Sequence, residues 1–433
     1  MTSIAEVKLW GNTIGAVALE NDETASFQYA AEFVGSGIQL SPLHMPLSNE
    51  VYRFSNLNYE SFSGLPGLLA DSLPDKFGNA LIDSWLAKQG RTPDSFNAVE
   101  RLCYTGDRGM GALEYLPATG PQGSGTNPVQ IEQMVELASE ILTQRENLSV
   151  SLDEDSKEKA MTDILQIGTS AGGARAKAVI AWNPKTNAIH SGQLKTAKGF
   201  EHWIIKFDGV SNNRDKELAD PKGYGAIEYA YSKMATDAGI NMGKCHLLEE
   251  NDRRHFMTQR FDRLDSGEKI HMQSLAALGH FDYRMAGAYS YEQAFMLMRQ
   301  LNLPMDDIEE QFRRMVFNVI ARNQDDHVKN IAFLMNKSGQ WSLSPAFDIT
   351  YSYNPAGEWT SSHQMSINDK RDKFTLEDFK ACSKVASMKR GQAEKIIKEV
   401  KLAVSRWKDF AKQTDVDLSH KDSIYSTLRL NEL

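Results

Sequence analysis

Ile308, Phe312, Met315, Val316, Val319 and Ile320 recur at three- and four-residue intervals, the spacing that lines one face of a helix. They predict a helix over 308–322. Ile131, Met134, Val135, Ala138, Ile141 and Leu142 carry the same period through 130–143. Phe77, Leu81 and Trp85 mark another helix, with Gly90 where it would stop. Further helices are predicted over 223–239, 375–387 and 392–411. Short apolar runs read as strands at 177–182, 202–207, 255–261, 331–335 and 340–343. At the start, 7–12 and 14–20 read as two strands joined by Gly-Asn. The layout is α+β: a mixed, strand-containing first part, then a mainly helical part from about residue 285.

The stretch PATGPQGSGTNP, residues 117–128, has the Gly, Pro, Ser and Thr content of a linker, so a domain boundary is expected there. With 433 residues, 41% hydrophobic and 24% charged, the chain can bury a core without disulfides or metal, and collagen, coiled coil and bulk disorder are excluded. Cys103, Cys245 and Cys382 stand far apart and form no local Cys/His ligand set. Sparse cysteines fit a reducing compartment. The start has no signal-like leader, and no uncharged apolar run approaches the ~20 residues that span a bilayer. A cytoplasmic protein with no membrane partner is the expectation. The formal charge of −9 disfavours unaided nucleic-acid binding, though a local basic face or a DNA-binding partner remains compatible with it.

The richest stretch for chemistry is ARNQDDHVKNIAFLM, residues 321–335, where a polar run separates a buried-face helix from an apolar strand. Asp348 follows in SPAFDITYS, again after a strand. Phosphoryl transfer uses such a set: one Asp takes the proton of the attacking hydroxyl, while an Asn and a second Asp hold magnesium. Asn330 and Asp348 offer the hard oxygen donors that magnesium prefers. A solvated loop with a capping Asp is the plainer reading. Upstream, small residues from Gly168 to Gly173 would let backbone N–H groups approach phosphate, although a simple turn accounts for them equally well. Lys206 stands in the otherwise apolar run HWIIKFDG, and Glu228 follows at the start of the next apolar helix face. Kinases fix nucleotide phosphates with such a strand Lys and helix Glu, while an edge-strand Lys needs no partner.

Seven segments together resemble the HipA toxin kinases of bacterial type II toxin–antitoxin modules, over nearly the whole chain. They are GLLADSLPD (67–75), GDRGMGAL (106–113), GTSAGGARAKA (168–178), IIKFD (204–208), QRFDR (259–263), NQDDHVKN (323–330) and FDI (347–349). The resemblance implies a two-lobed protein-kinase-like fold using ATP and Mg2+. It divides the chain into an N-terminal subdomain (1–120), the nucleotide-binding remainder of the N-lobe (121–264) and a helical catalytic C-lobe (265–433). Asp325 matches the catalytic Asp, with His327 and Lys329 in the same loop, and Asn330 and Asp348 match the magnesium ligands. Lys206 matches the lysine on the ATP phosphates, and Gln259 to Phe261 match the adenine-contacting hinge. Ser170, Ala171, Gly172, Gly173, Ala174, Arg175 and Lys177 fall in the phosphate loop. Ser170 aligns with the serine that such kinases autophosphorylate, and Thr169 is a second acceptor beside it. Asp326 competes with Asp325 for the base role, and the spacing to His327 and Asn330 favours Asp325.

The implied partners are a helix-turn-helix antitoxin of HipB type and, through it, operator DNA. The implied protein substrate is an aminoacyl-tRNA synthetase such as glutamyl-tRNA synthetase. Two other classes compete: a metal-dependent hydrolase built on Asp325, Asp326 and His327, and a catalytically inactive co-repressor.

Overall fold

The structure is a computed structural model. It describes residues 3–120, 129–143, 164–165, 168, 175–192, 198–210, 214–215, 218–219, 222–264 and 266–432. Strands β1 (Ile4–Leu9), β2 (Asn12–Leu19), β3 (Ala25–Tyr29), β4 (Val51–Arg53) and β5 (Leu113–Leu116) form an antiparallel sheet in the order β4-β3-β2-β1-β5. The first hairpin differs from the expected one. Leu9 pairs with Asn12, so the two-residue turn is Trp10–Gly11, with both φ positive at 50° and 80°. That mirror-image turn matches strand twist, and glycine adopts it without strain.

Strands β6 (Lys177–Trp182), β7 (Ile189–Ser191) and β8 (Glu201–Lys206) belong to a second sheet, and β9 (Arg214–Asp215) pairs with β10 (Leu218–Ala219). After the Tyr224–Asp237 helix, β11 (Cys245–Glu250) and β12 (Arg253–Gln259) complete the second sheet in the order β11-β12-β8-β6-β7. Its core takes Phe77 and Leu81 from the Lys76–Lys88 helix together with Ile180, Ile205 and Met257. A helix from the first 120 residues therefore packs beneath the second sheet.

A third sheet joins β13 (His271–Ser274), β14 (Ala332–Met335) and β15 (Trp341–Leu343). Around it, the helices Tyr291–Gln300, Met305–Ile320, Leu376–Val385 and Gln392–Ser405 bury one continuous apolar core. The single helix expected over 392–411 is two, because Arg406 leaves helical geometry (ψ 14°) and Trp407–Gln413 starts afresh. The break lets both Val404 and Trp407 be buried. Among the described residues no helix is long and apolar enough to cross a membrane. Residues 121–128 of the expected linker lie outside the described residues.

Candidate active site

Lys206 ends β8, and its register partners are Lys177 on β6 and Phe256 on β12. Its ammonium sits 2.5 Å from Glu228 Oε1 and 2.5 Å from Asp348 Oδ1. Glu228 lies on the Tyr224–Asp237 helix and is buried. Its other oxygen takes the Arg175 guanidinium at 3.2 Å, which also lies over the Tyr224 ring at 3.8 Å. Asp348 takes a left-handed backbone conformation with φ 53°, a geometry that disfavours most side chains. Burial pushes its carboxyl up, but Lys206, with Lys177 and His327 further off, outweighs this and holds it near 2. Burial likewise pushes Lys206 down, and the Asp348 and Glu228 carboxylates lift it well above its ordinary value. At neutral pH the site holds a buried cation between two anions.

The polar run after the Met305–Ile320 helix divides into inward and cleft-facing members. Asp326 is buried and accepts from Tyr291 Oη at 2.8 Å and from the Gln364 N–H at 2.8 Å, with His363 Nδ1 also at 2.8 Å. Burial raises its carboxyl, but His363 and these hydrogen bonds hold it below the usual carboxylate range. Asp325, the residue before it, has its side chain 21% exposed. Its Oδ1 accepts from Trp359 Nε1 at 2.6 Å, and His327 Nε2 lies 3.9 Å away. Asn330, in the Val328–Asn330 turn, donates from Nδ2 to the Asp325 carbonyl at 2.9 Å. That donation fixes the amide orientation and leaves Oδ1 as the acceptor. Lys329 places its ammonium 4.5 Å from the Tyr283 ring centre.

The remaining expected site residues spread over the neighbouring walls. Lys177 is buried, with Nζ 3.6 Å from Asp75 Oδ2. Gln259 donates its backbone N–H to the Lys244 carbonyl at 2.8 Å and its side-chain amide to Glu201 at 3.3 Å. The Phe261 ring lies 5.8 Å from Phe347, the residue before Asp348. Thr169, Ser170, Ala171, Gly172, Gly173 and Ala174 lie outside the described residues. Arg175, Lys177, Lys206 and Asp348 thus share one charged neighbourhood, and Asp325, His327 and Asn330 share a second on the catalytic-loop side. His327 links the two, through its field on Asp348 and its approach to Asp325.

Magnesium takes few protein ligands and keeps water, so the ionised Asp348 with the Asn330 amide oxygen is a fitting donor pair. A hydrolase metal shared by Asp325, Asp326 and His327 is not supported. Asp326 is enclosed by Tyr291, His363 and Gln364, and the described residues hold no group of three or more His, Cys, Asp or Glu able to bind a metal. The sequence reading missed Trp359 and the contact of Asp75. Trp359 is a lone large aromatic in the polar stretch NPAGEWTSSH, a pattern that could have flagged it. Asp75 stands just before an amphipathic helix, where an Asp reads as an ordinary cap.

Comparison with known proteins bears on the whole chain. Residues 169–407 match the family described as HipA-like C-terminal domain, and residues 5–116 match the HipA N-terminal domain. The chain is similar to a chain of the Shewanella oneidensis MR-1 toxin–antitoxin complex of HipA, HipB and operator DNA. The TM-score is 0.70 at 18% identity, covering 99% of this chain and 96% of that one. This likeness is one of fold. A Sinorhizobium fredii protein named "Putative kinase Y4mE" is 24% identical over 126 residues, 27% of this chain and 30% of that protein. The chain therefore spans less than a third of that relative.

Proposed function

This chain belongs to the HipA family, and on that premise we propose that it is an ATP- and magnesium-dependent serine/threonine protein kinase. The observation that carries the reading is Lys206 held between Glu228 and Asp348 beside the loop of Asp325 and Asn330. Bound ATP·Mg supplies the transferable phosphoryl group and neutralises charge as it moves. In this reading Lys206 exchanges its Asp348 contact for phosphate oxygens, and Asp348 and Asn330 hold the magnesium. Glu228 keeps the Lys206 ammonium placed throughout. Asp325, oriented by Trp359, takes the proton of the acceptor hydroxyl. Asp326 serves only to brace the loop.

Asp325→Asn should keep affinity for a non-hydrolysable ATP analogue within a few-fold while phosphate incorporation falls by ~10²–10⁴. Lys206→Met should weaken the analogue itself. Titration calorimetry and radiolabel incorporation on the same preparations separate the two, and equal loss of binding in both variants would remove the division of roles. An inactive co-repressor would incorporate no phosphate at all.

The finer reading follows the family. Ser170 is the proposed autophosphorylation site. A phosphate there would add nearly two negative charges beside the nucleotide's own. Peptide mass spectrometry after incubation with ATP·Mg should find it, and an unmodified Ser170 beside phosphate elsewhere would refute the assignment. The proposed partner is a HipB-type helix-turn-helix antitoxin, which would supply base-reading helices to a chain whose net charge of −9 disfavours unaided DNA binding. Sequence-specific operator binding by this chain alone in a gel shift would contradict that. The proposed substrate class is an aminoacyl-tRNA synthetase such as glutamyl-tRNA synthetase, testable by phosphate transfer to the purified enzyme.

A further inference from the structure

The geometry points to Asp75 as a positioning residue of the nucleotide site, through which the first 120 residues of the chain set Lys177 for the phosphates. The inference rests on the reading that this cleft binds ATP·Mg. Asp75 closes the segment GLLADSLPD and caps the Lys76–Lys88 helix, its Oδ1 accepting the Gly78 N–H at 2.6 Å. A cap needs one oxygen, and Ser, Thr or Asn would supply it as well. Asp75 does more than this. Its second oxygen faces Lys177 Nζ at 3.6 Å, and both side chains are more than nine-tenths buried. Burying a carboxylate only to cap a helix is unfavourable, whereas burying it against a lysine gives both charges a partner.

Lys177 has a reason to need that partner. It is the register partner of Lys206 on the adjacent strand, so the two lysines share one face of the sheet. Like charges at that spacing repel. Arg175, two residues earlier, adds a third cation to the same neighbourhood, paired with Glu228. Arg175, Lys177 and Lys206 face Asp75, Glu228 and Asp348 here, and of these three carboxylates Asp75 alone comes from the first 120 residues. Lys177 is near enough to help lower the Asp348 carboxyl, and Lys329 near enough to help lower that of Asp75, which burial raises to about 6. The carboxylate therefore lies within the field of both halves of the site. Its helix is anchored, since Phe77 and Leu81 pack in one core with Ile180 and Ile205 of the sheet that carries the lysines. Without the Asp75 charge, Lys177 would stay within the field of Asp348, the proposed metal ligand, and would turn from the phosphates toward it.

Asp75→Asn is the discriminating change, because Asn keeps both the cap acceptor and the volume and removes only the charge. In the full chain, calorimetric titration with a non-hydrolysable ATP analogue and magnesium, at a temperature where the variant stays folded, should show affinity about tenfold weaker, with a thermal midpoint lowered because Lys177 keeps a buried charge without its carboxylate. Lys177→Met should weaken binding to a similar degree. The double variant should be no worse than either single one, because both break one contact. Unchanged affinity in Asp75→Asn, or losses that add in the double variant, would overturn the proposal. If Asp75→Asn does not fold, Asp75→Ser, also a capping residue, carries the same measurement. Should the wild-type chain itself bind no nucleotide, the reading of the cleft has failed rather than the role of Asp75.

Discussion

Two charge clusters organise this molecule, and they differ in the cation at their centre. The first is a clamp directly after β12. Asp262 accepts Arg260 Nε at 2.8 Å and Nη2 at 2.6 Å, Arg263 Nη1 at 2.8 Å and the Gly111 N–H at 2.7 Å. The arginines also donate to the Gly109 carbonyl at 3.2 and 2.9 Å, so the GDRGMG segment is fixed to QRFDR. The second is the cleft, where Lys206 is shared by Glu228 and by Asp348, whose side chain stays 31% exposed. Arginine's planar fork makes several fixed bonds at once and suits a permanent joint. A lysine ammonium is a point charge on a flexible stem and can trade one anion for another. Burial and ion pairing alone do not mark function, and both clusters have them. What separates the cleft is that one anion faces solvent and that, in the proposed reading, one cation changes partner.

The largest expected effect is confined to the cleft. Asp348→Ala removes one proposed metal ligand and one Lys206 partner, and phosphate transfer should fall by ~10³, about 4 kcal/mol of transition-state stabilisation. Its thermal midpoint should move little. Asp262→Ala should do the reverse. It leaves two buried guanidinium groups without their carboxylate, a cost of about 3–5 kcal/mol in stability. Transfer per folded molecule should survive. Denaturant unfolding and transfer rates on both variants decide this, and a transfer defect in Asp262→Ala without loss of stability would blur the distinction between the clusters.

The same contrast recurs between neighbours in the chain. Asp326→Asn disturbs a buried acceptor of Tyr291, His363 and the Gln364 N–H, and should cost about 2–3 kcal/mol of stability. Asp325→Asn should cost less than about 0.5 kcal/mol, as expected of a partly exposed side chain whose Oδ1 still accepts from Trp359 after the change. Urea midpoints for the pair give the answer. Equal destabilisation would show that both carboxylates brace the loop.

How far the sequence anticipates these features depends on how local their cause is. Lys206 was legible because a lysine in HWIIKFDG breaks an apolar run within one strand. Strands β6, β8, β12, β14 and β15 and the Met305–Ile320 helix lie within a few residues of their predicted ranges, since periodicity is a local signal. The first hairpin slipped in register because Gly-Asn looked like the turn, while the ladder placed Trp10–Gly11 there. β5 went unmarked: its pairing partner β1 lies about a hundred residues earlier, and four residues alternating once carry no pattern of their own. Asp325 and Asp326 are chemically equal in the sequence. Only the packing of His363 and Tyr291, far away in the chain, tells the brace from the cleft residue. Trp359 and Asp75 were invisible as site residues for the same reason: each reaches its partner across the fold.

Neither cluster accounts for loss of stability on mild acidification. The Asp262 carboxyl is raised by burial but held far below its ordinary range by Arg260 and Arg263, so its contribution persists above the unfolded value near 3.8 and fades only below it. His271 behaves otherwise. It is fully buried on β13, and burial lowers its ring to about 3. A lowered histidine contributes stability above the unfolded value of 6.5, and the contribution is lost as pH falls toward 3. By pH 5 the unfolded chain binds a proton that the native one refuses, worth about 2 kcal/mol for this residue. Urea unfolding of the wild type should show a decline between pH 7 and 5, to which His255 and His280, lowered by burial to about 4 and about 3, also contribute, and His271→Gln should make it shallower. A decline of the same steepness in the variant would place the titrating group elsewhere.

The smallest expected effect tests how tightly the cleft side must be built. Trp359 Nε1 donates to Asp325 Oδ1 at 2.6 Å, and Asn330 ties the same residue through its carbonyl at 2.9 Å. Trp359→Phe keeps an aromatic ring and removes the donor, so the Asp325 side chain loses one of the contacts that choose its rotamer. A single hydrogen bond to a charged group at a partly exposed site is worth about 1 kcal/mol. The transfer rate should therefore fall only about fivefold, with nucleotide affinity and thermal midpoint unchanged, because the indole touches the acceptor side of the chemistry and not the Lys206 side. Steady-state rates at saturating ATP make the measurement. A loss as large as that of Asp325→Asn would mean that the rotamer, more than the carboxylate itself, limits transfer. No loss at all would mean that Asn330 and the loop backbone already hold Asp325 in place.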